Sequence, residues 1–394
     1  MSKRYLTNKE KLLALTKKHK AKVDKHAFVF LLALTLLLAA GHFVSFAQVP
    51  DVKKDEDAIF TGTVVGDIML GRHVEEVTKR KGFDALFEFT KPYFQASEYV
   101  SGNFKQTIID VPPESMEDVN GDSLENMTEN ENKPINFSTS YESVQALVDQ
   151  GFTNMNLANN NQFDYNYLGF RNTLNVFDEY EGEIDYVGAG VNTEQAMAPS
   201  IQEANGVTVA TIGFTDVYAP NHAVDQDRSG VLTTRRLADV YEAVRVAEEQ
   251  ADFVIVHAHW GENFNSSMFS RQRELAHYLV DLGADLIVGH YPHVISPIEI
   301  YNDTPVLYSV GNFISDQGWS RTTDALITQF KLFEDGRKRL EFSPMIIREA
   351  TPLPAIKPFS IIQQQRIFRT LTKGLDDDVN TWREGGTLYL EIDG

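Results

Sequence analysis

From residue 139 onward the chain alternates between two hydrophobic periods, and that alternation restricts the fold more than any other feature. Helical spacing covers Thr139–Gln150, Tyr167–Tyr180, Thr233–Gln250 and Arg271–Leu282, with Ser138 or Thr139 as the cap of the first. Between and after them lie short apolar runs of strand character: Thr153–Ala158, Ile184–Val187, Val207–Gly213, Phe253–Ala258, Asp285–Val288 and Val306–Ser309. Strands alternating with helices of this length predict an α/β fold, with a parallel or mixed sheet covered on both faces. Residues 58–109 read as strand, helix, helix and strand. Ala325–Leu332, Leu340–Ile347 and Thr387–Ile392 read as later antiparallel strands, and residues 359–377 as a helix. No internal repeat is present. Residues 58–394 are expected to form one domain, long enough to bury a large core.

In such sheets the loops after the carboxyl ends of the strands converge on one crevice. Chemically capable side chains sit at several of these ends. Asp67 follows the apolar run Ala58–Gly66. His259 opens His259-Trp260-Gly261, and His290 and His293 lie in Gly289-His290-Tyr291-Pro292-His293. A carboxylate and neutral imidazoles are common metal ligands, so these four are the first candidates for a divalent cation. Asn159, Asn160 and Asn161 end the run Thr153–Ala158, and Asn103 ends another short apolar element. An asparagine carbonyl can ligate a cation, which adds Asn159 to the metal set; asparagines also simply stabilise turns. Asn103, Asn160 and the rim residue Arg72 are candidates for substrate contact. Asp216, Asn312 and Asp316 also follow strands, with turn formation as an equal reading.

The N-terminus carries a separate signal. Residues 1–26 hold nine Lys/Arg against Glu10 and Asp24, and no charged residue then occurs until Asp51. An uncharged run of this length is enough to span a bilayer. The basic flank is expected in the cytoplasm and the rest outside. This divides the chain into a basic segment 1–26, an anchor 27–47, a charged linker 48–57 and the extracellular domain. A cleaved signal peptide ending at Ser45-Phe46-Ala47 is the rival, and the long basic segment favours a retained anchor. With no cysteine, neither a lipoprotein anchor nor a disulfide framework is available.

The formal charge of −20 falls wholly on the part beyond the basic segment. Such acidity excludes nucleic acid as an electrostatic partner. An anionic polymer would need a local basic patch or a bound cation. Residues 111–134 are acidic, rich in Asn and free of aromatic residues. They read as a disordered insertion or a solvated surface loop.

Seven short motifs in order resemble the CapA/PgsA family of poly-γ-glutamate capsule synthesis proteins. They are residues 65–72, 156–160, 187–190 and 212–216, then His259-Trp260-Gly261, then Gly289-His290 with Pro292-His293-Val294, then Tyr308-Ser309 with Gly311-Asn312-Phe313. The resemblance implies a calcineurin-like metallophosphoesterase-type sandwich of two mixed sheets flanked by helices. It also implies work beside a membrane ligase and a small membrane subunit of a poly-γ-glutamate synthase complex, on an anionic polymer. Three positions depart from the family pattern: Lys105 and Asn263 replace acids, and Asn161 replaces a histidine. An ammonium at 105 takes the space and charge of one cation, so fewer than two metal ions are expected. Lys105 and Asn161 then join the substrate-contact candidates. Two functions follow. One is a non-hydrolytic, membrane-anchored component of polymer synthesis or export. The alternative is an active metal-dependent hydrolase of a phosphoester, or of polymer or cell-wall amides.

Overall fold

Runs of apolar residues long enough to be buried on both faces build two sheets, and helices cover their outer sides. The computed structural model describes residues 7–20, 22–43, 48–111, 127–355 and 360–393. Its chain divides into two units, Met1–Ala47 and Gln48–Gly394. In the first, Asn8–Lys20 and Val23–Phe43 are helices. Among the described residues no helix is long and apolar enough to cross a membrane.

In the second unit the larger sheet is mixed. Its order is Asn380–Glu384, Thr387–Ile392, Lys338–Arg348, Asp324–Phe333, Ala58–Ile68, Tyr99–Phe104, Asn154–Asn156 and Asp185–Val187. The strand Asn312–Ile314 adds a parallel pairing at the end of Ala58–Ile68. The smaller sheet runs Ile298–Tyr301, Thr304–Leu307, Leu286–His290, Phe253–His259, Val207–Thr215 and Ser200–Ala204, with its inner four strands parallel. Phe60, Val64, Phe330 and Phe342 from the first sheet pack against Val209, Phe253, Ile255 and Val288 from the second. The Phe253 and Phe330 rings stack at 5.3 Å. Asn166–Asp178 and Glu142–Gln150 cover the outside of the larger sheet, while Leu237–Glu248 and Ser270–Asp281 cover the smaller one. The expected sandwich of two mixed sheets flanked by helices is therefore present.

The differences are local. Ser138 and Thr139 do not cap a helix: they pair as a short strand with Thr107–Ile108, and Asp110 accepts the Tyr141 N–H at 2.6 Å at the helix start. The helical pattern 359–377 is realised as Ile361–Leu371. Edge strands Ser200–Ala204, Ile298–Tyr301 and Asn380–Glu384 were hidden by their polar, half-exposed composition. The charged linker 48–57 is held at two points. Lys54 pairs with Glu98, and Asp55 meets both Lys331 at 3.5 Å and Arg339 at 3.4 Å. Of the acidic segment 111–134, residues 112–126 lie outside the described residues. Its end is no solvated loop, because Asn130 is buried and Lys133 is tied to Asp164.

Candidate functional site

The hydrogen-bond register places the site. Across the larger sheet, Asn156, Asn103, Asp67 and Asn312 occupy directly paired positions on four strands. Across the smaller sheet, Thr215, His259 and His290 do the same. The two rows meet where the sheets converge. Gly213 permits this approach, since a Cβ there would lie 2.1 Å from Asn156 Oδ1.

Asp67 is the hub and is fully buried. Its Oδ1 accepts from Asn103 Nδ2 at 2.7 Å, and its Oδ2 lies 3.1 Å from His293 Nδ1 and 3.4 Å from Lys105 Nζ. Lys105 Nζ also donates to His293 Nε2 at 3.1 Å and lies 5.0 Å from the centroid of the Tyr291 ring. His293 is neutral in this arrangement, its Nδ1–H directed at Asn312 Oδ1 at 2.8 Å and its Nε2 accepting from the ammonium. His259 Nε2 donates to Asn160 Oδ1 at 3.1 Å. The Gly-His-x-x-His loop holds Tyr291 at φ 96° and His293 at φ 58°. Both lie in the left-handed region, which costs of the order of 1–3 kcal/mol per residue and persists only under surrounding restraint. Backbone bonds from Trp260 to His290 and from Phe264 to Pro292 supply that restraint.

Electrostatically, one charged pair is enclosed by neutral rings. Burial alone would raise Asp67, but Lys105 and then His293 outweigh it and hold the carboxyl well below its ordinary range. Burial lowers Lys105 against the opposing pull of Asp67. Burial, reinforced by Lys105, pushes His259 well down and lowers His293. His290 falls to about 4, chiefly through burial.

Asp67, His259, His290 and His293 are thus brought together as expected. The other candidates are placed differently from one another. Asn159 is tied into the surrounding network: its amide donates to Asn103 Oδ1 and Phe104 O, and its carbonyl accepts the Asn161 N–H. Asn161 turns away and donates to Asp164 Oδ2 at 2.7 Å. Asn103 and Lys105 are sealed in the interior, out of reach of a polymer. Arg72 lies on the rim, paired with Asp316 at 3.3 Å. Asn160 is half-buried and borders an open cavity.

Two contributors were missed. His257 accepts from Ser101 Oγ at 3.0 Å and bonds to His290 Nε2 through Nδ1 at 2.9 Å. The signal was its two-residue spacing from His259, which puts both rings on one face of the strand. Lys133 was masked by its acidic surroundings.

The donor set does not fit the metal centre that the resemblance implies. Among the described residues no group of three or more His, Asp or Glu side chains is arranged to hold a metal ion. His290 Nδ1 has no hydrogen-bond partner there and faces Asp67 Oδ1 at 3.7 Å, but Asn103 already takes that oxygen. The other oxygen faces the Lys105 ammonium, which would repel a dication at contact distance. Glu262 and Asn263 are exposed, so this loop brings no acid inward.

Residues 61–317 match the family described as bacterial capsule synthesis protein PGA_cap. The PGA biosynthesis protein CapA of Bacillus subtilis (strain 168) is 40% identical over 393 residues, 99% of this chain and 98% of that protein. The capsule biosynthesis protein CapA of Bacillus anthracis is 37% identical over 375 residues, 94% of this chain and 87% of that one. Among solved structures, Haemophilus influenzae NAD nucleotidase aligns at 11% identity with a TM-score of 0.42, over 80% of this chain and 64% of that chain.

Proposed function

The chain belongs to this bacterial capsule synthesis protein family, the CapA/PgsA family, and from that membership we propose that it serves poly-γ-glutamate capsule formation as a non-hydrolytic component. The observation that carries the reading is Lys105. Its ammonium supplies, as a fixed part of the chain, the positive charge that a mobile cation would otherwise bring to Asp67 and the imidazoles. A metal-bound water has no place in such a centre. The sealed network then sets the shape of the loops around the crevice, and contact with polymer falls to residues on its open side.

The uncharged run from residue 27 to 50, behind a strongly basic flank, supports a retained anchor with the main domain outside the cell. In that place the domain meets the polymer as it leaves the membrane, beside a membrane ligase and a small membrane subunit. The anionic product needs no bound metal to approach, only a local patch free of the chain's own negative charge.

Two measurements test the reading. Deleting the gene is expected to abolish secreted polymer, and the wild-type chain to restore it. Elemental analysis of the full chain in detergent is expected to give well under one divalent ion per chain. Two tight ions per chain, with polymer- or ester-cleaving activity lost in His290→Ala, would establish the hydrolase instead.

A further inference from the structure

Beside the sealed centre lies a cavity of about 410 Å³, within the size range of small-ligand sites. Asn130, Asn132, Lys133, Asn160, Asn221 and His222 supply its polar wall, and Val217, Tyr218 and Ala219 complete it. Among the described residues its wall contains no carboxylate, in a chain of net charge −20. Two larger cavities beside residues 48–55 both have Asp51 in their walls. The smaller cavity is therefore set apart by charge.

Lys133, the one cation that its described wall contains, is placed for a ligand. Lys133 Nζ donates to Asn160 O at 2.9 Å and to Asp164 Oδ1. An ammonium has three N–H groups, so one remains beyond these two partners. The Lys133 side chain is 22% exposed while Asp164 is fully covered, so the positive member of the pair is the one that meets solvent. His222 adds no charge: its ring stacks on Phe163 at 4.1 Å, and burial followed by Lys133 pushes its imidazole down to about 4. The asparagine side chains of Asn132, Asn160 and Asn221 bring amide donors and acceptors to the wall, the complement of a secondary amide. The cavity also abuts the sealed centre, because Asn160 accepts from His259.

We propose that this cavity is the polymer subsite: it holds a stretch of γ-linked glutamate chain, one carboxylate on Lys133 and the chain amides on Asn132, Asn160 and Asn221. The assignment rests on the capsule reading above and names the surface that carries it out.

The test is calorimetric titration of the full chain in detergent with a γ-linked glutamate decamer. Polyacrylate of matched charge, which has carboxylates but no amides, is the control. The decamer is expected to bind at least tenfold more tightly than polyacrylate. Lys133→Gln and Ala219→Trp, the second of which fills the cavity and keeps the ammonium, are each expected to weaken the decamer at least tenfold. Melting curves identify any variant whose loss comes from unfolding. Wild-type affinity in a folded Ala219→Trp, or no decamer binding to the wild-type chain, overturns the subsite. Equal binding of polyacrylate overturns the amide half of the proposal. Restoration of secretion in a deletion strain by Ala219→Trp removes the cavity from the pathway and leaves the capsule role standing.

Discussion

The molecule holds two lysine–aspartate pairs a short way apart, and they are used in opposite ways. Lys105 and Asp67 are both nearly inaccessible, at 2% and 0% side-chain exposure. Lys133 and Asp164 share the same chemistry, but the lysine reaches water. In the first pair every direction around the charges is occupied: Asn103, His293 and the Tyr291 ring close the shell. In the second, Asn161 and the Phe137 N–H hold the carboxylate from behind and leave the ammonium at a cavity wall. Burial, and not residue type, thus separates a charge that organises the protein from a charge that can meet a ligand. A sealed pair gains nothing from solvent and loses heavily if broken.

The sharpest way to break the comparison is to remove the two lysines in turn. Lys105→Met leaves Asp67 as an uncompensated buried charge and is expected to cost about 3–5 kcal/mol, read by urea denaturation. Adding Asp67→Asn is expected to recover most of that loss, because the stranded charge is gone; failure to recover would show that the pair is not coupled in this way. Acidification comes next. His290, His257 and His259 are neutral in the fold, with pKa values below the ordinary 6.5. The unfolded chain binds more protons below that pH, so stability is expected to fall as pH drops from 6.5 toward 4. His290 alone contributes up to about 3 kcal/mol of the change. A denaturation midpoint that stays flat between pH 6.5 and 4.5 would refute the neutral-ring description. The smallest effect belongs to Lys133→Gln, expected to cost about 1 kcal/mol in the same denaturation assay, since Asp164 keeps two other donors. A loss equal to that of Lys105→Met would erase the distinction between the pairs.

Asp67, His259 and His290 were legible because each occupies the end of an apolar run, and strand ends in neighbouring positions of a sheet converge by construction. The family motifs extended this to His293. His257 was not legible, since a histidine inside an apolar strand reads as an interruption until the facing sheet is known. Lys105 was recognised as a replacement for an acid, but only the fold shows that its ammonium turns inward and is closed off. Lys133 was lost because composition describes a segment on average. It is the only lysine or arginine between residues 106 and 170, and its isolation among acids was the available signal. The inner strands were legible as apolar runs, and the polar edge strands were not, because their half-exposed faces carry no continuous apolar pattern.

The short segment that leads into the main domain has a mechanical meaning. Asp55 is gripped by Lys331 and Arg339, which stand on adjacent strands of the larger sheet, and Lys54 is gripped by Glu98. A flexible leash would dissipate a tug at residue 48 before it reached anything folded. This bracket instead passes the load straight into neighbouring backbone ladders, which resist shear collectively. A pull on the chain ahead of residue 48 would therefore load the larger sheet at Glu98, Lys331 and Arg339 directly.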